Sequence, residues 1–192
     1  MEQRNFGKGA LFPAIIAVLG AVTFVFTSLR IPTIGGLGGY IHLGDVAVCF
    51  AAYAFGPWTA FLAGGLGTAL ADVIGPFAQW APVSFITHGL QGAVTALVAR
   101  AFLRQGCRRD GKEGIRKTEA LWSWPGVIVS GLLSMVIVAG GYFLGGGLLV
   151  GFAAAVPEIP LNLLQSGTGV VGGALLSRYV IRAYPPVKAW RW

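Results

Sequence analysis

Long apolar segments, separated by short groups of glycine, proline and charged residues, run along most of the chain. The segments that predict helices are 10–29, 45–55, 58–74, 82–103, 124–144 and 159–181. A helix that crosses a bilayer needs at least about 17 apolar residues, so the second segment is short for a span and requires shielding by its neighbours. The pattern predicts an all-α membrane protein with six transmembrane helices.

The composition supports this class and leaves no room for a soluble catalytic domain. The chain has 192 residues, of which 55% are hydrophobic and 11% are charged, whereas a soluble domain carries about 25% charged residues. Six spans use about 120 residues, and the remainder is too short for an attached ATPase. Residues 1–192 are therefore expected to form a single transmembrane domain.

The basic residues predict the orientation of the chain. There are 14 lysines and arginines against seven acidic residues, a net charge of +7. In the six-helix topology all of these basic residues except Arg30 fall on one face: before the first helix, around the connection 104–121 and near the end of the chain. Cytoplasmic loops collect Lys and Arg, so both termini are expected to be cytoplasmic. The connection 104–121 is a topology signal or a binding patch for phosphate or protein; nucleic acid is not an expected partner.

Polar side chains gather at the outer ends of the predicted helices. Ionisable and amide groups are costly at membrane depth and face an interior or a watery cavity, so these residues predict a solute pocket near the outer surface. The candidate pocket residues are Tyr40, His42, Asp45, Asp72, Gln79, Trp80, His88, Gln91, Glu158, Asn162 and Gln165.

Some of these residues have other interpretations. Asp45 and Glu158 stand where helices begin, and a carboxylate there interacts with free N–H groups and the helix dipole. Asp72 is a partner for an ion pair with Arg30. His88 is also typical of an interhelical hydrogen bond, as are the amides of the sixth helix.

Three further features have two interpretations each. The glycine-rich segment 33–39 is either a linker or a lid that closes over the pocket, and Trp80 either stacks on a solute or anchors the chain at the interface. Ala17 and Ala21 are separated by one helical turn, which permits close helix contact. The helix that contacts these two alanines belongs either to this chain or to a partner protein.

The spacing of the remaining residues predicts no catalytic or metal centre. His42 and His88 have no His or Cys partner at ligand spacing, and no nucleophile–base pair or nucleotide motif survives inspection. The chain is therefore expected to be no enzyme and to need no cofactor.

Several short motifs together resemble the S component of energy-coupling factor (ECF) transporters, in the group of riboflavin-type S components. They are GYIHLGD at 39–45, FGP at 55–57, AGGLG at 63–67, AD at 71–72 and AP at 81–82. The opening of the sixth helix, Glu158-Ile-Pro160 with Asn162 and Gln165, is similar to the same family.

The resemblance implies a multi-pass vitamin-binding protein of the cytoplasmic membrane, with the first outer loop, 30–44, as a lid. It implies docking on a membrane T component that couples to two cytoplasmic ATPases, so ATP is used by these partners and not by this chain. In the family a small-residue motif on the first helix contacts the T component, and Ala17 and Ala21 match it.

The charges of the outer set restrict the solute. Asp45, Asp72 and Glu158 against Arg30 leave a negative excess, which disfavours anionic pantothenate or folate. A neutral or cationic heteroaromatic is favoured: thiamine or its hydroxymethylpyrimidine precursor first, riboflavin next. A self-sufficient channel or secondary carrier, and an assembly protein without tight solute binding, are the alternatives.

Overall fold

The structure is a computed structural model that describes residues 7–32, 40–109 and 122–190. Its helices in chain order are α1 (Gly7–Ser28), α2 (Gly44–Ala54), α3 (Pro57–Ile74), α4 (Ala81–Arg109), α5 (Trp124–Val150), the short α6 (Phe152–Ala155) and α7 (Glu158–Ala183). Strands β1 (Arg30–Pro32) and β2 (Tyr40–His42) lie between α1 and α2, and single 3-10 segments cover Ala78–Trp80 and Pro185–Trp190.

All six predicted helices are present, but two of them continue well beyond their predicted ends. Helix α4 continues to Arg109, beyond the predicted end at residue 103, because Arg and Gln are good helix formers although they end the apolar pattern. Helix α5 continues through three glycines to Val150. There the missing side chains admit neighbours, since a Cβ at Gly146 would lie 3.3 Å from the Trp80 ring.

Four of the helices, α1, α4, α5 and α7, are long and apolar enough to cross a membrane. Helix α2 has 11 residues, and nearly all of them are buried among α1, α3, α4 and α7. The neighbours therefore shield this short helix, as its length requires. The count of six spans and the cytoplasmic termini stay predictions.

Glycines let α7 and α2 approach closely. A Cβ built on Gly169 would lie 2.8 Å from the backbone carbon of Asp45 and 3.0 Å from its carbonyl oxygen. One turn further along α7, a Cβ on Gly173 would lie 2.6 Å from the backbone nitrogen of Phe50. Small residues at helix crossings allow such contacts inside a membrane, and this crossing places Asp45 against α7.

Helix α1 presents two different faces. Ile15, Leu19 and Thr23 follow one another at helical spacing and are buried against α3 and α2. Ala17 and Ala21 lie on the opposite face and are exposed. Packing within this chain therefore does not account for the two alanines, and that interpretation is wrong.

Residues 30–44, expected to be a loop, are partly strand. β1 and β2 pair antiparallel, with Arg30 opposite His42 and Pro32 opposite Tyr40. The glycine segment 33–39 lies outside the described residues, as does 110–121 of the basic connection.

Candidate functional site

A cavity of about 80 Å³ lies between β2, the Ala78–Trp80 turn and the adjoining ends of α3, α4, α5 and α7. Its walls carry carboxylates, hydroxyls, amides and an imidazole beside aromatic rings. The lining residues are Tyr40, His42, Asp72, Phe77, Trp80, Ser84, Tyr142, Gly146, Ala155, Glu158, Asn162 and Gln165.

Four residues of the predicted set are not among the lining residues. Asp45, His88 and Gln91 are buried next to the cavity and are joined to its wall by hydrogen bonds. Gln79 is exposed, because successive side chains of the 3-10 turn spread in different directions and it is Trp80 that reaches the cavity.

The sequence prediction missed two hydroxyls in the wall, those of Ser84 and Tyr142. Both carried a usable signal. Ser84 precedes His88 by four residues and therefore shares its helix face. Tyr142 comes 18 residues after Trp124, the first residue of α5, a rise of about 27 Å at 1.5 Å per residue, which places it at the outer level of the other polar groups.

Asp72 accepts two hydrogen bonds in the cavity wall. The Tyr40 hydroxyl donates to its Oδ1 over 2.7 Å, and the Ser84 hydroxyl donates to its Oδ2 over 2.5 Å. Burial, and then the Asp72 charge, raise the pKa of Tyr40, so this phenol stays a donor. Tyr142 continues the network: its hydroxyl lies 2.7 Å from Ser84 Oγ and 3.1 Å from His88 Nε2.

A second polar layer surrounds Asp45. His88 Nδ1 lies 3.2 Å from Asp45 Oδ1. Gln91 donates to Asp45 Oδ2 over 3.2 Å, and Gln165 donates to Oδ1 over 3.4 Å. Asp45 therefore joins α2 to α4 and α7, and its side chain makes no cap of its own helix.

Arg30 is not hydrogen-bonded to Asp72 as the sequence suggested. Its guanidinium donates to the carbonyl oxygen of Ala71 over 2.6 Å, and its central carbon lies 4.7 Å from the Tyr40 ring centroid and 5.1 Å from that of Phe77. A cation between aromatic faces is stabilised by their quadrupoles. Arg30 thus fixes β1 and Tyr40 against the end of α3.

His42 is held as one neutral tautomer. Its Nδ1 accepts from the backbone N–H of Gly44 over 3.0 Å, so in the neutral ring Nε2 carries the proton. Burial lowers the pKa of His42 well below its ordinary value, and the charges of His88 and Arg30 lower it further. The ring is therefore uncharged at neutral pH.

The Nε2–H of His42 faces another donor. It lies 3.4 Å from Gln165 Nε2, and that amide is oriented because Gln165 Oε1 accepts from the backbone N–H of His42 over 3.0 Å. Two donors do not satisfy one another. The imidazole N–H is therefore available to an acceptor on a molecule in the cavity.

The fold brings together three groups that the sequence spacing had separated. His42, Asp45 and His88 each offer one possible metal-ligand atom, and these three atoms lie within 4.8 Å of one another. The expectation that the histidines have no partner for a metal site is therefore wrong. The set does not fit a bound metal ion, because a ligating histidine presents an unprotonated nitrogen to the metal. His42 Nδ1 already accepts the Gly44 N–H and its Nε2 carries the proton.

A bundle of apolar helices around a polar cavity is the architecture of a membrane protein that binds a small solute. Residues 13–182 match the family model described as ECF-type riboflavin transporter, S component. The chain therefore belongs to the family of ECF S components. These are membrane transport proteins and not a family of enzymes.

The chain is also similar to two sequence relatives and to one solved structure. The chain is 28% identical over 183 residues to the thiamine precursor transporter HmpT of Lactococcus lactis subsp. cremoris, covering 95% of this chain and 92% of the relative. It is 27% identical to an uncharacterized protein of Pyrococcus woesei, covering 87% and 99%. A structure of the S component of a bacterial ECF transporter superposes with a TM-score of 0.63 at 20% identity, covering 91% of this chain and 98% of that one, which shows the fold.

Proposed function

We propose that this chain is the solute-binding subunit of an ECF transporter in the cytoplasmic membrane, and that it captures a thiamine precursor of the hydroxymethylpyrimidine class. In this proposal six helices span the membrane and both termini are cytoplasmic. The chain binds the solute, and a T component with two ATPases supplies the energy for uptake.

The observation that carries the proposal is the size and polarity of the cavity. Its volume is about 80 Å³, and its lining carries charged and polar side chains beside aromatic rings. A single substituted ring fits a small cavity with a few convergent polar groups, whereas the three-ring system and ribityl chain of riboflavin require a wider site. The name of the Lactococcus relative supports a thiamine precursor, and thiamine and riboflavin follow in that order.

The polar groups of the wall complement an aminopyrimidine. Such a ring carries an exocyclic amino group, which donates, beside a ring nitrogen, which accepts. Asp72 and Glu158 are acceptors for the amino group, and the Nε2–H of His42 is a donor for the ring nitrogen. Trp80 and Tyr142, with ring centroids 6.1 Å apart, supply apolar faces for the ring.

The exposed face of α1 is the proposed contact with the T component. Ala17 and Ala21 are exposed on a helix of which only 17% of the most apolar stretch is buried inside this chain. Small side chains on such a face let a partner helix approach closely.

Binding titrations of the purified chain with single solutes test the proposal. We expect the hydroxymethylpyrimidine to bind with a Kd below about 1 μM, equivalent to about −8 kcal/mol, and riboflavin to bind at least ten-fold more weakly. Asn162→Ala should weaken binding, because Asn162 lines the cavity. Thr168→Ala, an exposed position of the same helix, is the matched control and should not.

Two results would overturn this assignment. If riboflavin is the tightest ligand, the substrate class is wrong. If the purified chain alone moves solute across liposomes down its gradient, the protein is a channel or carrier and not a binding subunit that depends on partners.

A further inference from the structure

The protonation of His88 follows from the hydrogen bonds at its two ring nitrogens. Its Nδ1 lies 2.8 Å from Gln91 Oε1 and 3.2 Å from Asp45 Oδ1. The Gln91 amide is oriented, because its nitrogen donates to Asp45 Oδ2 and to Ser134. Its oxygen therefore faces His88, and an amide oxygen only accepts. The short contact requires a proton on Nδ1.

The other ring nitrogen ends a chain of hydroxyls that starts at Asp72. When Asp72 is a carboxylate, Ser84 gives its one proton to Oδ2. The Ser84 oxygen then accepts from Tyr142, so the Tyr142 oxygen accepts from His88 Nε2. Each hydroxyl has a single proton, and the direction of every bond is fixed by the one before it. Nε2 is therefore protonated as well.

The opposite arrangement leaves a buried charge without its partner. If Asp72 carried the proton, Ser84 and Tyr142 would donate in the other direction and His88 would be neutral. Both carboxyl oxygens of Asp45 face nitrogens that donate, those of Gln91, Gln165 and His88, so Asp45 is a carboxylate. It is 1% exposed, and an ionised carboxylate at that depth is costly without a countercharge. Around His88 the charged or titratable groups are Asp45 on α2, Tyr142 on α5 and His42 on β2, whose ring centroid is 5.7 Å away. His88 is the cation that contacts Asp45 among the described residues.

We propose that His88 and Asp72 are the two ends of one proton relay, in which His88 is an imidazolium paired with Asp45 and Asp72 meets the solute as a carboxylate. Only protons move when the hydrogen bonds of the relay reverse. His88 then gives one proton to Tyr142, Tyr142 gives one to Ser84, and Ser84 gives one to Asp72. His88 is thus a positioning residue that acts through two hydroxyls.

The relay specifies the solute group that Asp72 accepts. A carboxylate only accepts hydrogen bonds, so Asp72, which already accepts from two hydroxyls, favours a further N–H donor or a positive charge on the solute. This consequence rests on the proposed function, because it assumes that the cavity is the solute site. The charge state of His88 does not.

Nitrogen NMR of the solute-free protein tests the relay directly. The chain has two histidines, so ¹⁵N-histidine labelling in lipid nanodiscs gives two imidazole rings, and His42→Asn assigns them. At neutral pH we expect both ring nitrogens of His88 to be protonated and only Nε2 of His42. An unprotonated ring nitrogen in wild-type His88 would overturn the proposal.

Variants of the relay give a second, independent readout. In Asp72→Asn the amide nitrogen is expected to donate to Ser84, which reverses both hydroxyls and leaves His88 Nε2 unprotonated. Glu158→Gln removes another carboxylate of the cavity wall that is not part of the relay, and His88 should keep both ring protons. The same response of His88 to both variants would contradict the relay.

A tyrosine pair controls for the loss of a buried hydroxyl. Tyr142→Phe interrupts the series of hydroxyls between Asp72 and His88 and should leave His88 Nε2 unprotonated. Tyr53→Phe removes a hydroxyl that contacts Ser130 at 3.2 Å, away from the relay, and should change nothing at His88. These measurements need no solute, so failure to bind a pyrimidine would refute the proposed function and leave the relay to its own test.

Discussion

Replacing Gly169 by alanine tests whether the α2–α7 crossing positions the site. The new Cβ would lie 2.8 Å from the backbone carbon of Asp45. Ordinary contact begins near 3.4 Å, so the two helices must separate by about half an ångström or more. Overpacking of this kind costs about 1–3 kcal/mol, since neither contact atom belongs to a flexible side chain.

The same displacement is expected to reach the solute cavity. Gln91 and Gln165 hold Asp45 across 3.2 and 3.4 Å, and these bonds are already near the long limit for an N–H···O contact. A shift of half an ångström on the α7 side breaks the Gln165 contact, and Gln165 lines the cavity. We therefore expect solute affinity to fall by roughly ten-fold, about 1.4 kcal/mol, together with a lower Tm.

Gly140→Ala is the matched control for this substitution. A Cβ at Gly140 meets nothing within 4 Å, and alanine favours a helix by up to about 1 kcal/mol over glycine. Thermal unfolding in detergent and titration of the pyrimidine compare the two variants with the wild type. Wild-type Tm and affinity in Gly169→Ala, or equal damage in Gly140→Ala, would refute the reasoning.

Three further predictions concern the partner, the solute and pH. Ala17→Trp should abolish ATP-driven uptake by the assembled transporter and leave solute binding unchanged, whereas Leu132→Trp, on the exposed face of α5, should retain uptake. Loss of solute binding in Ala17→Trp would show that this face of α1 supports the fold of the chain itself. Exchanging the ring nitrogen of the solute that faces His42 for C–H should weaken wild-type binding by roughly five- to ten-fold, about 1–1.4 kcal/mol, and should not weaken binding to His42→Phe; an equal loss in both proteins would exclude the imidazole contact. Because burial lowers the pKa of His42 below its ordinary 6.5, the unfolded chain binds this proton more readily, and the free energy of unfolding should fall as pH drops below about 6.5. From neutral to mildly acid pH, the free energy of unfolding should fall more steeply in the wild type than in His42→Asn. Parallel curves for the two proteins would contradict this prediction.

The helices could be predicted from the sequence because each depends on local apolarity. Their extent was less predictable: α4 passes the last apolar residues and is helical through Arg109, where the described part of this helix ends. In the stretch after residue 103, helix propensity, and not hydropathy, keeps the chain helical.

The grouping of the polar residues could be predicted, but not which of them line the cavity. The cost of polar groups at membrane depth placed Asp72 and His88 in one outer layer. Their separation into a lining residue and a buried one depends on how each helix is rotated and on how deep it starts, which no single-residue property encodes. Tyr142 was missed because a tyrosine near the end of a helix is also typical of an interface anchor.

In the predicted orientation, the short length of α2 leaves room for the cavity. Eleven residues rise about 16 Å, roughly half of a 30 Å hydrocarbon core. In the predicted orientation Phe55 ends this helix at the cytoplasmic side, so Gly44 begins it near the middle of the membrane. The space above it is filled by β2 and the cavity, and His42 and Asp45 meet at the boundary between them. In that orientation a helix that is shorter than the bilayer brings its polar start to the floor of the cavity.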